Sequence, residues 1–114
     1  MRIIYKICPA SAWREAERQG TYRGSADDAR DGYIHFSTAS QVKETAAKHF
    51  AGVSDLLLIA IDAGRLGAAL RWEPAREGAL FPHLYGELPL ACVLWVKPLP
   101  LAADGRHVFP ELVL

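Results

Sequence analysis

The stretch DGYIHFSTASQ (residues 31–41) carries a histidine inside a short apolar run and then two hydroxyl residues in succession. Residues 33–37 are predicted to form a strand, because aromatic and β-branched side chains dominate this run. Side chains alternate between the two faces of a strand, so Tyr33, His35 and Ser37 are expected to share one face. The stretch therefore brings a titratable ring and a hydroxyl to the same side of the chain.

The segment that follows, TASQVKETAAKHFAG, is predicted to be a helix. Thr38 followed three residues later by Gln41 fits a capping box, in which two side chains satisfy backbone N–H groups at the helix start. Gly52 is the expected end of the helix. The prediction places Ser37 and Thr38 at a helix N-terminus, where free N–H groups and the helix dipole favour an anion.

The rest of the chain supplies further strands and one more helix. The helix is predicted for ASAWREAERQG, after Pro9. Apolar runs predict strands at residues 2–7, 55–62, 69–73 and 90–99, and the tail DGRHVFPEL is expected to add a short one. TYRGSADDARDG is predicted to be a loop with a helical turn capped by Ser25, and PAREGALFPHLYGELP a long irregular segment.

These elements predict an α+β domain, with a curved mixed β-sheet of about five or six strands and two main helices. A doubly wound parallel fold is less favoured, because strands and helices stop alternating after the second helix. The chain of 114 residues is expected to form a single domain over residues 1–114.

Composition and charge limit the partners. Thirteen basic and thirteen acidic residues cancel, so no extended nucleic acid interface and no membrane surface are expected. No apolar run approaches the roughly 20 residues of a membrane span, and the first residues do not resemble a signal peptide. Cys8 and Cys92 lie in separate apolar runs, as reduced core cysteines do. These features favour a cytoplasmic protein.

Three groups of residues are candidates for a site. His35, with Ser37 and Thr38, could bind a phosphate or move a proton near neutral pH. The alternative is a half-buried strand histidine beside ordinary helix-capping hydroxyls. In FPHLYGE, His83 and Tyr85 face the same way if the segment is extended, and could form a ligand wall or simply pack on the core.

The third group is Trp72 with Glu73. Trp72 could stack on a ligand or belong to the core, and Glu73 could be a general base, a hydrogen-bond acceptor or a surface charge. No HxH, HExxH or paired CxxC motif is present, so no metal is expected.

Five segments together resemble one small bacterial family, the domain of unknown function 952. They are IIYKI, DGYIHFSTASQ, HF, LRWE and FPHLYGELPL, and the resemblance covers essentially the whole chain. The family is similar in fold to the ADP-ribosyltransferases, which cleave the nicotinamide glycosidic bond of NAD. A related branch removes an RNA 2′-phosphate with NAD. The resemblance therefore implies an ADP-ribosyltransferase-like fold and NAD as the possible cofactor.

The resemblance also implies roles for individual residues. In those enzymes a basic residue on the first strand contacts the NAD phosphates, and Lys6 is the basic residue available here. The YIHFST element would shape the nicotinamide pocket through His35, Ser37 and Thr38. The glutamate that stabilises the reacting ribose could correspond to Glu87, or its space could be taken by His83 or Tyr85. His35, His83 and Glu87 are thus the candidate catalytic residues.

Three functions stay open at this point. The first is an NAD-dependent ADP-ribosyltransferase or glycohydrolase, whose cleavage step a carboxylate would assist by stabilising positive charge on the ribose. The second is a non-catalytic module that binds a nucleotide or another phosphate-bearing small molecule. The third is an NAD-dependent 2′-phosphotransferase acting on phosphorylated RNA.

Overall fold

The computed structural model describes residues 1–112, and within them the chain forms three α-helices, eight strands and four 3₁₀ turns. The α-helices are α1 (Ala10–Gln19), α2 (Ala26–Asp31) and α3 (Val42–His49). The strands are β1 (Ile3–Pro9), β2 (Thr21–Tyr22), β3 (Ile34–His35), β4 (Leu56–Asp62), β5 (Leu70–Pro74), β6 (Leu80–Leu84), β7 (Leu88–Pro89) and β8 (Val93–Pro98). The 3₁₀ turns are Ala63–Arg65, Gly67–Ala69, Arg76–Gly78 and Leu90–Cys92. The α+β class predicted from the sequence is confirmed.

The predicted single curved mixed sheet is wrong. The described strands form three antiparallel sheets, in the orders β1-β4-β8, β2-β7 and β3-β6-β5. Strand β4 is central in the first sheet, and its near-continuous apolar sequence LLLIAID fits a strand covered on both faces. The sequence pattern identified this strand correctly but could not show that its neighbours run antiparallel to it.

The first and third sheets meet at one isolated bridge between Tyr5 and Ser37. The Tyr5 N–H donates to the Ser37 carbonyl at 2.8 Å, and the Ser37 N–H donates to the Tyr5 carbonyl at 2.9 Å. One residue earlier, the Phe36 N–H donates to the Pro82 carbonyl at 3.0 Å. The segment that follows β3 therefore passes directly from the third sheet to the first.

Two predictions about FPHLYGELP and its surroundings need correction. The segment PAREGALFPHLYGELP is not irregular throughout, because it contains β6, the central strand of the third sheet, and β7. Pro82 lies within β6, where its carbonyl still accepts a hydrogen bond. The predicted long strand at residues 90–99 begins with the turn Leu90–Cys92 and only then becomes β8.

Helix α3 begins later than predicted. Its first residue is Val42, and residues 39–41 form a turn. Half of the predicted capping box is present, because Oε1 of Gln41 accepts from the Thr38 N–H at 3.0 Å. The hydroxyl of Thr38 instead lies 3.1 Å from that of Ser40. Ser37 and Thr38 are therefore separated from the helix N-terminus by a turn.

Helix α2 is the predicted turn capped by Ser25. The Ser25 hydroxyl accepts from the Asp28 N–H at 3.2 Å, and the Asp28 carboxylate accepts from the Ser25 N–H at 2.8 Å. Gly24 precedes this cap with φ +102°, and a Cβ there would lie 2.8 Å from Cβ of Asp28. Gly32 ends the helix with φ +88°. The two glycines allow a short helix to turn tightly and present Asp28 to the interior.

Two apolar clusters hold the sheets and helices together. The first packs α1 against β4 and one face of the third sheet, and it includes Trp13, Ile34, Ile59 and Leu84. The second lies on the other face of the first sheet against α3. Cys8 and Cys92 are buried and free, as predicted. Among the described helices, none is both long enough and apolar enough to cross a membrane.

Candidate functional site

A cavity of ≈ 290 Å³ lies where the first and third sheets approach each other. Its walls come from β1, β3, β6, the helices α2 and α3, and the turn after β5. The polar residues that matter for its chemistry are Lys6, Asp28, His35, Ser37, Arg76 and His83. The cavity lining therefore combines histidines, aspartates, cations and hydroxyls, and it includes the ion pair of Asp27 with Arg30.

A buried ion pair forms one side of the cavity. Nζ of Lys6 donates to the two carboxylate oxygens of Asp28 at 2.9 and 3.2 Å, and to the His35 carbonyl at 3.0 Å. Burial alone would raise the pKa of Asp28. The hydrogen bond from His35, the charge of Lys6 and the Ser25 N–H outweigh it, so that the pKa of Asp28 lies well below its usual range. Asp28 is thus a carboxylate, although only 3% of its surface is exposed.

His35 is held by carboxylates at both ring nitrogens. Its Nδ1 lies 2.6 Å from Oδ1 of Asp28, and its Nε2 lies 2.9 Å from Oδ2 of Asp31. The backbone N–H of His35 also donates to Asp28 at 3.1 Å. Each ring nitrogen of His35 therefore faces a carboxylate oxygen, so neither nitrogen is open to a ligand.

His83 is paired with a carboxylate at one nitrogen only. Its Nδ1 lies 2.8 Å from Oε1 of Glu73, and the Tyr85 hydroxyl donates to the same oxygen at 2.8 Å. The hydrogen bonds from His83 and Tyr85 lower the pKa of Glu73. Within residues 1–112, Nε2 of His83 has no hydrogen-bond partner, yet it is not a fully enclosed atom. Although only 3% of His83 is exposed, the residue lines the cavity. Its Nε2 is therefore available to a ligand that enters the cavity.

Tyr33 connects the two histidine pairs. Its ring stacks on that of His83 with a centroid distance of 4.1 Å, and lies 4.6 Å from the His35 ring and 5.3 Å from the Tyr85 ring. Burial, with the charges of Asp31 and Glu73, raises the pKa of Tyr33. The stacked Tyr33 ring restrains the orientation of the His83 imidazole.

The cavity also contains a cation beside two hydroxyls. Nη2 of Arg76 donates to Oγ1 of Thr45 at 2.8 Å, and Oγ of Ser37 lies 2.9 Å from the same Oγ1. The Arg76 guanidinium lies over the Phe81 ring at 4.8 Å, and its nearest carboxylate, on the exposed Glu44, is 3.6 Å away. Arg76 therefore has donors that the protein does not use.

The structure brings together several of the residues predicted from the sequence. Lys6, His35, Ser37 and His83 all line the cavity. Glu73 and Tyr85 lie behind His83 and contact it or its partner. Lys6 has its three donors engaged by Asp28 and His35, so it stabilises a carboxylate instead of offering a donor to a ligand.

Three other predicted residues lie outside the cavity. Trp72 is adjacent to Glu73 in β5 and therefore faces the opposite side, where it packs against the core with the Arg2 guanidinium 4.0 Å from its ring. Thr38 lies just before the turn that precedes α3. Glu87 is exposed and pairs with Arg23 at 3.2 Å, away from the cavity lining.

Asp28, Thr45 and Arg76 were not predicted as site residues. Asp28 follows Ser25 with capping-box spacing, which indicates a carboxylate at the start of a helix, but nothing local predicts its contact with Lys6. Thr45 and Arg76 meet only through tertiary packing across 31 positions. Among the described residues, no cluster of three or more histidine, cysteine or acidic side chains is arranged to hold a metal ion.

The fold and this cavity define a small α+β protein with paired histidines and carboxylates. The model of the family "Protein of unknown function (DUF952)" matches residues 7–96, and the chain belongs to that family. No curated protein matches the chain.

Solved structures of one bacterial protein have the same fold. The crystal structure of protein CC0527 from Caulobacter crescentus is 46% identical, with a TM-score of 0.90 and 93% of each chain covered. The solution NMR structure of CC0527 is 47% identical, with a TM-score of 0.84, and the match covers 93% of this chain and 91% of the other. The likeness extends over nearly the whole length of both proteins.

Proposed function

We propose that this protein binds a phosphate-bearing small molecule of the nucleotide class in the cavity between its first and third sheets. The observation that carries the proposal is the position of Arg76, beside the hydroxyls of Thr45 and Ser37 and in the same cavity as His35 and His83. A half-enclosed guanidinium with unused donors is a favourable partner for a phosphate group.

The charges of the opposite wall support this choice. Asp28 is paired with Lys6, and Asp27 and Asp31 are both paired with Arg30, so these carboxylates do not present uncompensated negative charge to an anion. The hydroxyls of Ser37 and Thr45 can rotate to donate to a phosphate oxygen. Arg76 then supplies the formal charge.

NAD is the first ligand to test, because the sequence motifs resemble those of a family with an ADP-ribosyltransferase-like fold. The sharper version of the proposal is an NAD-dependent ADP-ribosyltransferase or glycohydrolase. It requires a carboxylate near the reacting ribose, and Glu73 or Asp31 fits that position better than the exposed Glu87. A binding module without catalysis is the second candidate. It is favoured because the carboxylates of the cavity already contact side chains of the protein itself.

Titration calorimetry and thermal shift would test the proposal with inorganic phosphate, ADP-ribose and NAD. We expect each to bind, and Arg76→Gln to weaken binding by about tenfold or more. Arg106→Gln is the matched control, because Arg106 is exposed and lies outside this cavity. Release of nicotinamide from NAD would separate the transferase from the binding module. If none of the three compounds binds, the proposal is wrong.

A further inference from the structure

We infer that Nε2 of His83 is the acceptor through which the cavity holds a hydroxyl group of its ligand. This inference rests on the proposed function, because it assumes that a ligand enters the cavity. It adds a chemical requirement, namely that the phosphate-bearing ligand also carries a hydroxyl, as a sugar phosphate or the ribose of a nucleotide does.

The first step of the argument is the tautomer of His83. Glu73 is ionised and accepts from the Tyr85 hydroxyl, so it has no proton to donate to Nδ1. The 2.8 Å contact between Nδ1 of His83 and Glu73 therefore requires that Nδ1 carries the proton. In the neutral ring the lone pair is then on Nε2.

The second step is the fixed position of that lone pair. His83 is on β6, directly opposite His35 on β3, and its ring is stacked on Tyr33 at 4.1 Å. Glu73 holds the other edge of the ring and is itself held by Tyr85. A ring restrained on one face and at one nitrogen can meet a ligand only through its remaining edge.

The third step is the kind of group that fits. A lone pair on nitrogen needs an O–H or N–H donor, and an ionised phosphate offers none. His35 does not offer the same open edge, because its Nδ1 lies 2.6 Å from Oδ1 of Asp28 and its Nε2 lies 2.9 Å from Oδ2 of Asp31. The cavity thus has separate positions for two ligand groups, with Arg76 for the anion and His83 for the hydroxyl.

Nitrogen-15 NMR of the histidine side chains in the unliganded protein tests the first step without any ligand. We expect His83 to be in the Nδ1–H tautomer when neutral, and Glu73→Gln to weaken that preference. If neutral His83 carries its proton on Nε2, the inference is overturned, and the phosphate proposal is unaffected.

Titration with ribose 5-phosphate and with inorganic phosphate tests the remaining steps. Ribose 5-phosphate should shift the Nε2 resonance of His83, whereas inorganic phosphate should shift the side chain of Arg76 and leave His83 unchanged. Binding of both compounds with no change at His83 would overturn the inference alone. Binding of neither compound would count against the proposed function as well.

Two variants separate the acceptor from its structural role. His83→Phe keeps an aromatic ring against Tyr33 but removes the acceptor, and should weaken ribose 5-phosphate roughly threefold to tenfold while leaving phosphate affinity unchanged. His83→Gln can place an amide oxygen near the position of Nε2 and should recover part of that loss. Equal loss for both compounds in a folded His83→Phe protein would contradict the inference.

Discussion

The two histidines of the cavity differ in what they leave free, although they lie directly opposite each other in neighbouring strands. His35 has a carboxylate at each ring nitrogen, whereas His83 has a carboxylate at one nitrogen and an open edge at the other. A histidine–carboxylate pair is therefore not by itself evidence of a reactive group. What decides its role is the second nitrogen.

The difference has a local cause. Helix α2 supplies both Asp28 and Asp31 to His35, and Lys6 on the neighbouring sheet compensates the buried charge. Glu73 comes from an outer strand of the third sheet and remains partly exposed, with a tyrosine as its only other hydrogen-bond donor in the described chain. Both histidines line the cavity, but only His83 has a ring nitrogen without a carboxylate beside it.

The largest expected effect on stability comes from removing the charge of Asp28, the buried carboxylate that contacts both Lys6 and His35. Asp28→Asn would leave Lys6 buried without its ion-pair partner and should lower the free energy of unfolding by about 3–5 kcal/mol. Urea unfolding at neutral pH measures this change. Asp27→Asn is the control, because its exposed pair with Arg30 should contribute less than about 1 kcal/mol. Equal losses in the two variants would contradict a structural role for Asp28.

A second effect should appear in acid. The pKa of Asp28 is lower in the folded chain than the value of about 3.9 expected when unfolded. Its contribution to stability is therefore fully present above that value and is lost as the pH falls through the lower folded pKa. We expect the free energy of unfolding to fall below about pH 4 in the native protein, and to fall less steeply in Asp28→Asn. Parallel pH profiles would argue against this assignment.

A smaller loss is expected at His35 itself. His35→Gln would remove the contact with at least one of the two carboxylates and should cost about 1–2 kcal/mol, because more than a third of the side chain is exposed. Thermal unfolding measures the loss. His107→Gln provides a comparison at a histidine outside this cavity, whose Nε2 lies 2.8 Å from the Val53 carbonyl, and it should cost less.

The smallest effect on stability is expected at the Glu73–His83 pair. Glu73→Gln can keep a hydrogen bond to His83 or Tyr85, so the melting temperature should change little, while affinity for ribose 5-phosphate falls. A large drop in melting temperature with unchanged affinity would mean that Glu73 serves the fold and not the ligand. The contrast between His35 and His83 would then disappear.

The sequence predicted the parts of this site that depend on alternation along a single strand. It placed His35 with Ser37, and His83 with Tyr85, because residues two apart in an extended chain face the same side. The same rule excludes Trp72 and Glu73 from sharing one surface, and in the structure the partly buried Trp72 packs against the core.

What the sequence could not give is the pairing of distant segments. The contact of Lys6 with Asp28 spans 22 positions and that of Arg76 with Thr45 spans 31. A lysine in a strand of apolar residues could equally serve a ligand or a buried carboxylate, and only the position of α2 decides between them. The antiparallel order of the sheets likewise depends on connections whose direction no local pattern specifies.

The bridge between Tyr5 and Ser37 has a consequence for how the two halves of the cavity separate. Only two backbone hydrogen bonds form this bridge, whereas β1 and β4 pair over seven residues. Hydrogen exchange of the Tyr5 and Ser37 amides therefore reports the opening of this bridge independently of the opening of the first sheet. Fast exchange at those two amides, with β4 still protected, would show that the cavity widens by breaking the bridge between Tyr5 and Ser37.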